Sequence, residues 1–273
     1  MMSRSFLALF ASLPLLLTAA APVARPQRIV SLNLCADQYV LALADRAQIV
    51  ALTRFATDPQ MSAAAAQARG IRSTRGSAED VLALRPDLVL ASPWQDQLVM
   101  THLKARGVPV VALEPAADRA AIETQVEQVA RAVGHPARGA ALIGAMDRAL
   151  ARVPRDAGRG RTAAYYQRRG FLTGTGTLVD DLMQRVGLRN LATRLGKPAL
   201  ARVGLEEMAL ARPDYLIVET DAERVADQGT EMLHHPLLAG IPRLRLPQAW
   251  TVCGGPAYVK AAVSLAGQLR AAR

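Results

Sequence analysis

The chain contains one unit twice. SAEDVLALRPDLVLA begins at Ser77 and GLEEMALARPDYLIV begins at Gly204, so matching positions are 127 residues apart. Each copy has an acidic helix start, an Arg-Pro-Asp stop and an apolar run. A proline disfavours helical backbone at the residue before it, and a short apolar run after such a stop predicts a buried strand. A helix-strand unit in each half of the chain predicts two related α/β lobes.

Helix-like and strand-like segments alternate along most of the sequence, which predicts parallel sheets flanked by helices. The predicted strands are 28–32, 48–52, 87–91, 108–113, 162–167, 214–219 and a run ending in 249–252. The predicted helices are 36–44, 78–84, 97–106, 178–186, 205–211 and 257–269. Residues 116–152 show only helical periodicity, with a break at Gly134-His135-Pro136. We therefore expect an N-terminal lobe over 25–117, a helical connector over 118–157 and a C-terminal lobe over 158–273.

Residues 1–24 have the layout of a cleavable secretory signal peptide. Arg4 precedes an apolar run from Phe6 to Leu17, and small residues follow. That run is too short to span a bilayer comfortably, although a retained short anchor is the alternative interpretation. We expect the mature protein to be soluble outside the cytoplasm.

The chain is strongly basic, with a formal net charge of +10. Such a charge suits nucleic acid, an anionic surface or an anionic ligand. The arginines are dispersed, with no basic block and no stripe of interleaved aromatic residues, so we expect no nucleic-acid partner.

Two cysteines occur, Cys35 and Cys253. In an oxidising compartment a small, even number of cysteines favours a disulfide. Such a bond would tie together the two ends of the mature chain. Two free thiols, or thiols that face a ligand, remain the alternative.

Glu79 and Glu206 occupy the same place in the two copies of the repeated unit, in the first turn of each predicted helix. A carboxylate there stabilises the helix dipole by about 0.3 to 1 kcal/mol, which is one explanation for both residues. Two equivalent carboxylates on two related lobes could also present a matched pair to a two-fold symmetric partner. The sequence leaves both explanations open.

The signal, the two α/β lobes and the repeated x-E-x-x-x-x-[KR]-P-D unit together resemble the class III periplasmic substrate-binding proteins of ABC importers. The resemblance runs from RIVSLNLCADQ at Arg28 to WTVCGGP, which ends at Pro256. It implies two Rossmann-like lobes joined by a rigid inter-lobe helix, with the ligand cleft between the lobes. It also implies that Glu79 and Glu206 dock to the membrane permease dimer of an importer.

Ligands of such lobes meet the loops beyond the carboxyl ends of the strands. Flat aromatic rings and guanidinium groups in those loops suit a large planar or anionic metal chelate. The expected ligand-binding residues are Asn33, Arg54, Phe55, Arg75, Trp94, Arg168, Arg169, Phe171 and Tyr258. By the resemblance, Phe55 and Trp94 match ring-bearing cleft positions of cobalamin-binding members, whereas Arg75 replaces an aromatic residue.

Three classes of function fit this pattern. The resemblance implies a monomeric periplasmic receptor that delivers cobalamin or another corrinoid, a ferric siderophore or haem to an ABC importer. An exported two-lobed enzyme and a sensor that reuses the fold without transport are the alternatives. The sequence has no Gly-x-Ser-x-Gly elbow and no His-Glu-x-x-His motif. We therefore expect no catalytic residues, no resident cofactor and no metal site of the protein's own.

Overall fold

A computed structural model describes residues 25–225 and 227–272 of the chain. The predicted signal peptide lies outside the described residues. Within the described part, no helix is long and apolar enough to cross a membrane.

The N-terminal lobe is built on a parallel sheet with the strand order β3-β2-β1-β4-β5. Its strands are β1 (Ile29–Ser31), β2 (Ile49–Thr53), β3 (Ser73–Thr74), β4 (Leu88–Ala91) and β5 (Val110–Ala112). The strand order reverses between β1 and β4, which pair in register from Ile29 opposite Leu88 to Ser31 opposite Leu90. In open α/β sheets, a ligand crevice forms at such a reversal.

Helices cover this sheet as the alternation predicts. They are α1 (Leu34–Leu43), α2 (Ala65–Ala68), α3 (Ala78–Ala83) and α4 (Gln97–Ala105). Asn33 and Asp96 cap α1 and α4 with side-chain oxygens that accept backbone N–H groups. These caps fix where each helix starts relative to the strand before it.

The connector contains two helices, α5 (Arg119–Ala132) and α6 (Pro136–Ala151). Gly134 has a φ of +81°, a left-handed conformation that glycine adopts readily, and it ends α5. Pro136 then starts α6 at the first helical position. The two helices pack against each other, with Gly139 of α6 so close to Ala130 that a Cβ at Gly139 would lie 2.5 Å from the alanine Cβ.

The C-terminal lobe has a mixed sheet with the strand order β11-β10-β6-β7-β9, and β8 pairs with β6. Its strands are β6 (Thr162–Gln167), β7 (Phe171–Thr173), β8 (Arg189–Asn190), β9 (Leu200–Arg202), β10 (Tyr215–Glu219) and β11 (Arg243–Leu246). Strands β6, β8, β10 and β11 are parallel, whereas β7 runs antiparallel to β6 and to β9. Its helices are α7 (Leu178–Arg185), α8 (Leu191–Arg194), α9 (Leu205–Ala211), α10 (Gln228–Glu231) and α11 (Tyr258–Ala271).

The strand predicted in a run ending in 249–252 is misplaced. The last strand is β11, and a short 3-10 helix at Gln248–Trp250 follows it. Alternation of Arg and Leu over 243–246 is the pattern of a strand with one buried face, and Leu244 and Leu246 are the buried residues. Pro247 follows this strand directly, and the chain turns there.

The repeated unit folds the same way in both lobes. Arg85 and Arg212, each followed by proline, have left-handed φ angles of 46° and 44°. The aspartate after each proline then binds the start of a neighbouring strand. Asp87 accepts the backbone N–H of Arg28 at 2.8 Å, and Asp214 accepts that of Thr162 at 2.7 Å. The duplication predicted from sequence is therefore also a duplication of backbone geometry and hydrogen bonding, and the α/β two-lobed fold class is confirmed.

Candidate functional site

The carboxyl edges of the two sheets meet at a disulfide bond. Cys35 lies in the first turn of α1, directly after β1, and Cys253 lies beyond β11, with their Cα atoms 5.2 Å apart. The expected disulfide is confirmed, and the free-thiol alternative is wrong. Next to it, the Tyr39 hydroxyl donates to the Gly254 carbonyl oxygen at 2.8 Å. A Cβ on Gly254 would lie 2.7 Å from the Ala116 carbonyl oxygen, so this contact between the lobes needs a glycine.

The N-terminal lobe contributes a cavity of about 1250 Å³. Residues after β1, β2 and β3 line it, including the predicted Asn33, Arg54, Phe55 and Arg75. The Arg54 guanidinium lies over the Phe55 ring, 4.6 Å from its centroid, and both side chains are exposed. A flat cationic and aromatic surface therefore faces this cavity.

Asn33 has a structural duty as well as a place in the cavity wall. Its Oδ1 accepts the backbone N–H groups of Cys35 and Ala36 at 2.8 and 3.2 Å. This cap fixes the start of α1 and so the position of Cys35.

Trp94 follows β4, the strand on the other side of the order reversal. It is 71% exposed, and its neighbour Gln95 lines the N-terminal cavity. A large exposed aromatic ring beside a cavity is available to stack on a ligand.

A buried carboxylate lies behind this cavity. Asp37 of α1 is fully buried and accepts the Thr53 backbone N–H at 3.2 Å and the Thr53 hydroxyl. Burial raises the pKa of Asp37 to about 6, and the hydrogen bonds from Thr53 and Ser31 oppose that rise. Asp37 therefore connects α1 to the end of β2, next to Arg54.

The C-terminal lobe contributes a smaller cavity of about 360 Å³. The predicted Arg168, Arg169 and Phe171 line it, together with Gln167, Glu219 and Gln248. Arg168 forms an ion pair with Asp227. Arg169 has a φ of +59°, in the short turn between β6 and β7. This face of the cleft therefore carries both positive and negative charges.

The C-terminal lobe also has an arginine over a phenylalanine. Arg202 of β9 lies opposite Phe171 of β7 in the antiparallel register, and its guanidinium is 5.5 Å from the ring centroid. Arg202 also lines a neighbouring cavity of about 650 Å³, shared with Arg169 and Asp227. Each lobe thus presents an arginine-phenylalanine pair in or beside its cleft cavities.

Tyr258 does not belong with these residues. It is 1% exposed at the first position of α11, and its hydroxyl donates to Asp181 of α7 at 2.6 Å. Burial, and then Asp181, raise the pKa of Tyr258, so the phenol stays protonated. Its ring packs in the core and offers no surface to a ligand, which corrects the expectation for this residue.

Sequence reasoning missed several polar residues of the cavities. Arg72 and Gln95 line the N-terminal cavity, and Gln167, Glu219 and Gln248 line the C-terminal one. Glu219 ends a predicted strand, so the rule that ligands meet strand ends could have found it. Arg202 is brought to Phe171 only by the antiparallel pairing of β7 and β9, for which the sequence gives no signal.

Glu79 and Glu206 are both exposed, in the first turns of α3 and α9. Helix α3 starts at the carboxyl edge of the first sheet, because β3 is parallel to β2 and β1. Strand β9 runs in the same direction as β6, since both are antiparallel to β7, so α9 also starts at a carboxyl edge. Burial, and then Glu206 and Glu207, raise the pKa of Tyr166 near the end of β6 to about 12. Both carboxylates therefore lie at the cleft-side ends of their lobes.

Metal ligands are not grouped in the described residues. No cluster of three or more His, Cys, Asp or Glu side chains over 25–225 and 227–272 could hold a metal ion.

Comparison with known proteins identifies relatives along most of the chain. Residues 29–245 match the family described as "Periplasmic binding protein". The vitamin B12-binding protein of Pectobacterium carotovorum is 26% identical over 267 residues, which cover 94% of this chain and 93% of that protein. A cobalamin-binding protein of Halobacterium salinarum is 26% identical over 213 residues, which cover 76% of this chain. The match spans only 58% of that archaeal protein.

Solved structures give the same result. The periplasmic haem-binding protein RhuT from Roseiflexus sp. RS-1 is similar with a TM-score of 0.73 and 25% identity, over 90% of this chain and 98% of that one. The periplasmic vitamin B12-binding protein BtuF of Vibrio cholerae shares the fold with a TM-score of 0.66 and 15% identity, over 91% and 98% of the two chains. These relatives are named for binding, not for catalysis. On its sequence and fold, this chain is a member of the periplasmic binding protein family.

Proposed function

We propose that this protein captures a metal chelate with anionic groups between its two lobes and delivers it to an ABC importer. The candidate chelates are cobalamin or another corrinoid, a ferric siderophore and haem. The observation that carries the proposal is the pair of arginine-phenylalanine contacts, Arg54 with Phe55 and Arg202 with Phe171, one on each lobe. A planar anionic ligand can stack on such surfaces and neutralise their charge.

Residues of the two cavities suit recognition of the periphery of a chelate more than its metal. The linings of the 1250 Å³ and 360 Å³ cavities include arginine, amide, hydroxyl and aromatic side chains, and neither contains His, Tyr or Cys. Imidazole, phenolate and thiolate are protein ligands of haem iron, and so is the thioether of methionine, which Met61 of the N-terminal cavity could supply. With only this one side chain of a haem-ligating type in the two linings, we favour a chelate whose metal already has its ligands.

Delivery requires a partner in the membrane. Glu79 and Glu206 are exposed at the cleft-side ends of related lobes, so two basic pockets of a permease dimer could engage both at once. Residues 1–24 would export the chain to the periplasm as a cleaved signal peptide.

Ligand capture can be tested with purified protein. Cyanocobalamin, haemin and ferrichrome are titrated separately on the Trp250→Phe variant, in which Trp94 is the remaining tryptophan and is 71% exposed beside the cavity, so that its fluorescence reports binding. We expect saturable binding of at least one chelate, and we expect the double variant Arg54→Ala, Arg75→Ala to bind it about 10- to 100-fold more weakly. The double variant Arg106→Ala, Arg148→Ala loses the same charge from exposed positions, one in the turn after α4 and one in α6, and should bind normally.

Docking can be tested separately in cells. Reversing the charges of both carboxylates with Glu79→Lys and Glu206→Lys should abolish uptake of the chelate and leave its affinity for the purified protein nearly unchanged. Loss of affinity would mean that the two carboxylates stabilise the fold or contact the ligand and do not act in docking alone. Chemical conversion of the bound ligand would favour the exported enzyme, and binding without any uptake would favour the sensor.

A further inference from the structure

Glu219 is the most buried charged side chain among the residues that line the cavities described above. It ends β10, which lies between β6 and β11 at the carboxyl edge of the second sheet, and it is 7% exposed. It lines the 360 Å³ cavity with Gln167 and Gln248, and it also lines an adjoining space of about 190 Å³. The carboxylate therefore lies in the floor of the C-terminal side of the cleft.

The protein supplies hydrogen-bond donors to only one of the two oxygens of this carboxylate. Its Oε1 accepts the Gln167 amide at 2.9 Å and the Tyr165 hydroxyl at a longer 3.4 Å. That hydroxyl lies closer to Thr251 Oγ1, at 3.0 Å. Among the described residues, no Lys or Arg forms an ion pair with Glu219, and its Oε2 has no hydrogen-bond partner.

Oε2 is not enclosed by protein and is open to the water of the cavity, so a ligand that displaces this water must bring a hydrogen-bond donor in its place. A carboxylate cut off from water is normally paired with a cation or fully hydrogen-bonded, since the water that stabilised its charge is gone. Two cations line the same cavity, Arg168, which is already paired with Asp227, and Arg169, and neither forms an ion pair with Glu219. The unmet acceptor capacity of Glu219 thus faces the space that a ligand would occupy.

We infer that Glu219 selects chelates that present hydrogen-bond donors, such as carboxamide N–H groups or hydroxyls, to the C-terminal lobe, and rejects chelates that present carboxylates there. This inference rests on the proposed function. A ligand carboxylate next to Glu219 would bring two negative charges together in a site from which water is partly excluded, which is unfavourable. Gln167 and Gln248 support the same selection, because an amide side chain pairs with a ligand carboxamide as both donor and acceptor.

Two of the candidate chelates differ in the relevant chemistry. The rim of a corrinoid carries carboxamides, whereas haem carries propionate carboxylates and no rim donors. The arginines of the N-terminal cavity can attract the anionic group of either ligand. Glu219 therefore predicts a preference for the corrinoid that comes from the C-terminal lobe alone.

The test compares cyanocobalamin with haemin on the wild type and on Glu219→Gln. The substitution keeps the shape of the side chain and removes its charge. We expect the wild type to bind cyanocobalamin more tightly, and the variant to lose about tenfold in affinity for cyanocobalamin without weakening haemin binding. Glu127→Gln, at an exposed position of α5, is the matched control and should leave both affinities unchanged. Urea unfolding of each variant confirms that it is folded.

The outcomes separate the two proposals. If the wild type binds haemin more tightly than cyanocobalamin, or if Glu219→Gln keeps the wild-type ratio of the two affinities within about twofold, the role of Glu219 is refuted and chelate capture stands. If the wild type binds none of cyanocobalamin, haemin and ferrichrome, the proposed function fails, and the role of Glu219 fails with it.

Discussion

Three arginines, Arg54, Arg72 and Arg75, line the N-terminal cavity, and Asp80 is the acidic residue beside them. In the C-terminal cavity the arginines share the wall with the buried carboxylate of Glu219. The repeated unit nevertheless has the same backbone geometry in both lobes, down to an aspartate that binds the start of a neighbouring strand. The comparison teaches that residues which hold strands together stay alike in the two lobes, while residues at strand ends differ. A cleft between such lobes can bind the two sides of one ligand through different side chains.

The largest change in stability is expected from removing the disulfide between Cys35 and Cys253, which links the two lobes. The disulfide closes a loop with a sequence separation of 218 residues, and closure of a long loop strongly restricts the unfolded chain. The double variant Cys35→Ala, Cys253→Ala should lose about 4 kcal/mol of free energy of unfolding, measured by urea titration. Chelate affinity should change little, because the Tyr39 contact with Gly254 and a hydrophobic core with residues from both lobes remain.

Wild-type protein unfolded in the presence of a reductant is the control, and its stability should fall to that of the double variant. A variant as stable as the oxidised wild type would contradict the prediction. A variant of normal stability that no longer binds the chelate would show that the bond positions the two faces without stabilising the fold.

A second prediction concerns Asp37, the carboxylate that is buried behind the N-terminal cavity. Burial raises the pKa of Asp37 to about 6 in the folded protein, above its ordinary value of 3.8. The folded state therefore holds this proton more tightly than the unfolded state. The stability that comes from protonated Asp37 is complete below pH 3.8 and is lost as the pH rises through about 6, by about 3 kcal/mol.

Asp37→Asn should lack this dependence, because its side chain does not titrate. Relative to the wild type, the variant should gain about 2 kcal/mol between pH 4 and pH 7, measured by urea unfolding at each pH. Taking the difference between two proteins removes the contributions of other titrating groups, such as Asp45 and Asp227, whose pKa values are lowered. A constant difference across this range would show that Asp37 is ionised in the folded state at all of these pH values.

The sequence predicted the elements whose signals are local. Strands β1, β2, β4, β6 and β10 are apolar runs, and the helices between them start at caps such as Asn33 and Ser77. Strand β11 was missed because its exposed face carries arginine, and an alternating Arg-Leu pattern is weaker than the apolar run that follows it. The antiparallel pairs of β7 depend on contacts between segments far apart in the chain, which periodicity does not reveal.

Site residues divide in the same way. Arg54 and Phe55 could be found because they follow the buried strand β2 directly, whereas Arg75 follows the short strand β3, which is not buried; all three line the N-terminal cavity. Tyr258 follows a loop after the last strand, and burial of its ring against the core decides its role. Arg202 was missed because it becomes meaningful only beside Phe171, whereas Glu219 ends a predicted strand and the strand-end rule could have found it.

The smallest expected change in stability concerns the first residue of the repeated unit, which differs between its two copies. Ser77 caps α3, with its Oγ accepting the backbone N–H of Asp80 at 3.2 Å, whereas Gly204 has no side chain to cap α9. The backbone of Gly204 has φ −69° and ψ 167°, which serine adopts without strain, and a Cβ there would meet only Glu206 Oε2, at 3.5 Å. Gly204→Ser should therefore raise the free energy of unfolding by roughly 0.3 kcal/mol.

Gly204→Ala separates the hydroxyl from the added carbon. Alanine is a poorer helix cap than glycine and cannot accept the N–H group, so this variant should be less stable than Gly204→Ser and no more stable than the wild type. Equal stability of the serine and alanine variants in urea would mean that the gain, if any, comes from restricting the unfolded chain. In that case the glycine at the start of α9 would have no deficit to repair, because water already satisfies its exposed first turn as well as a side chain could.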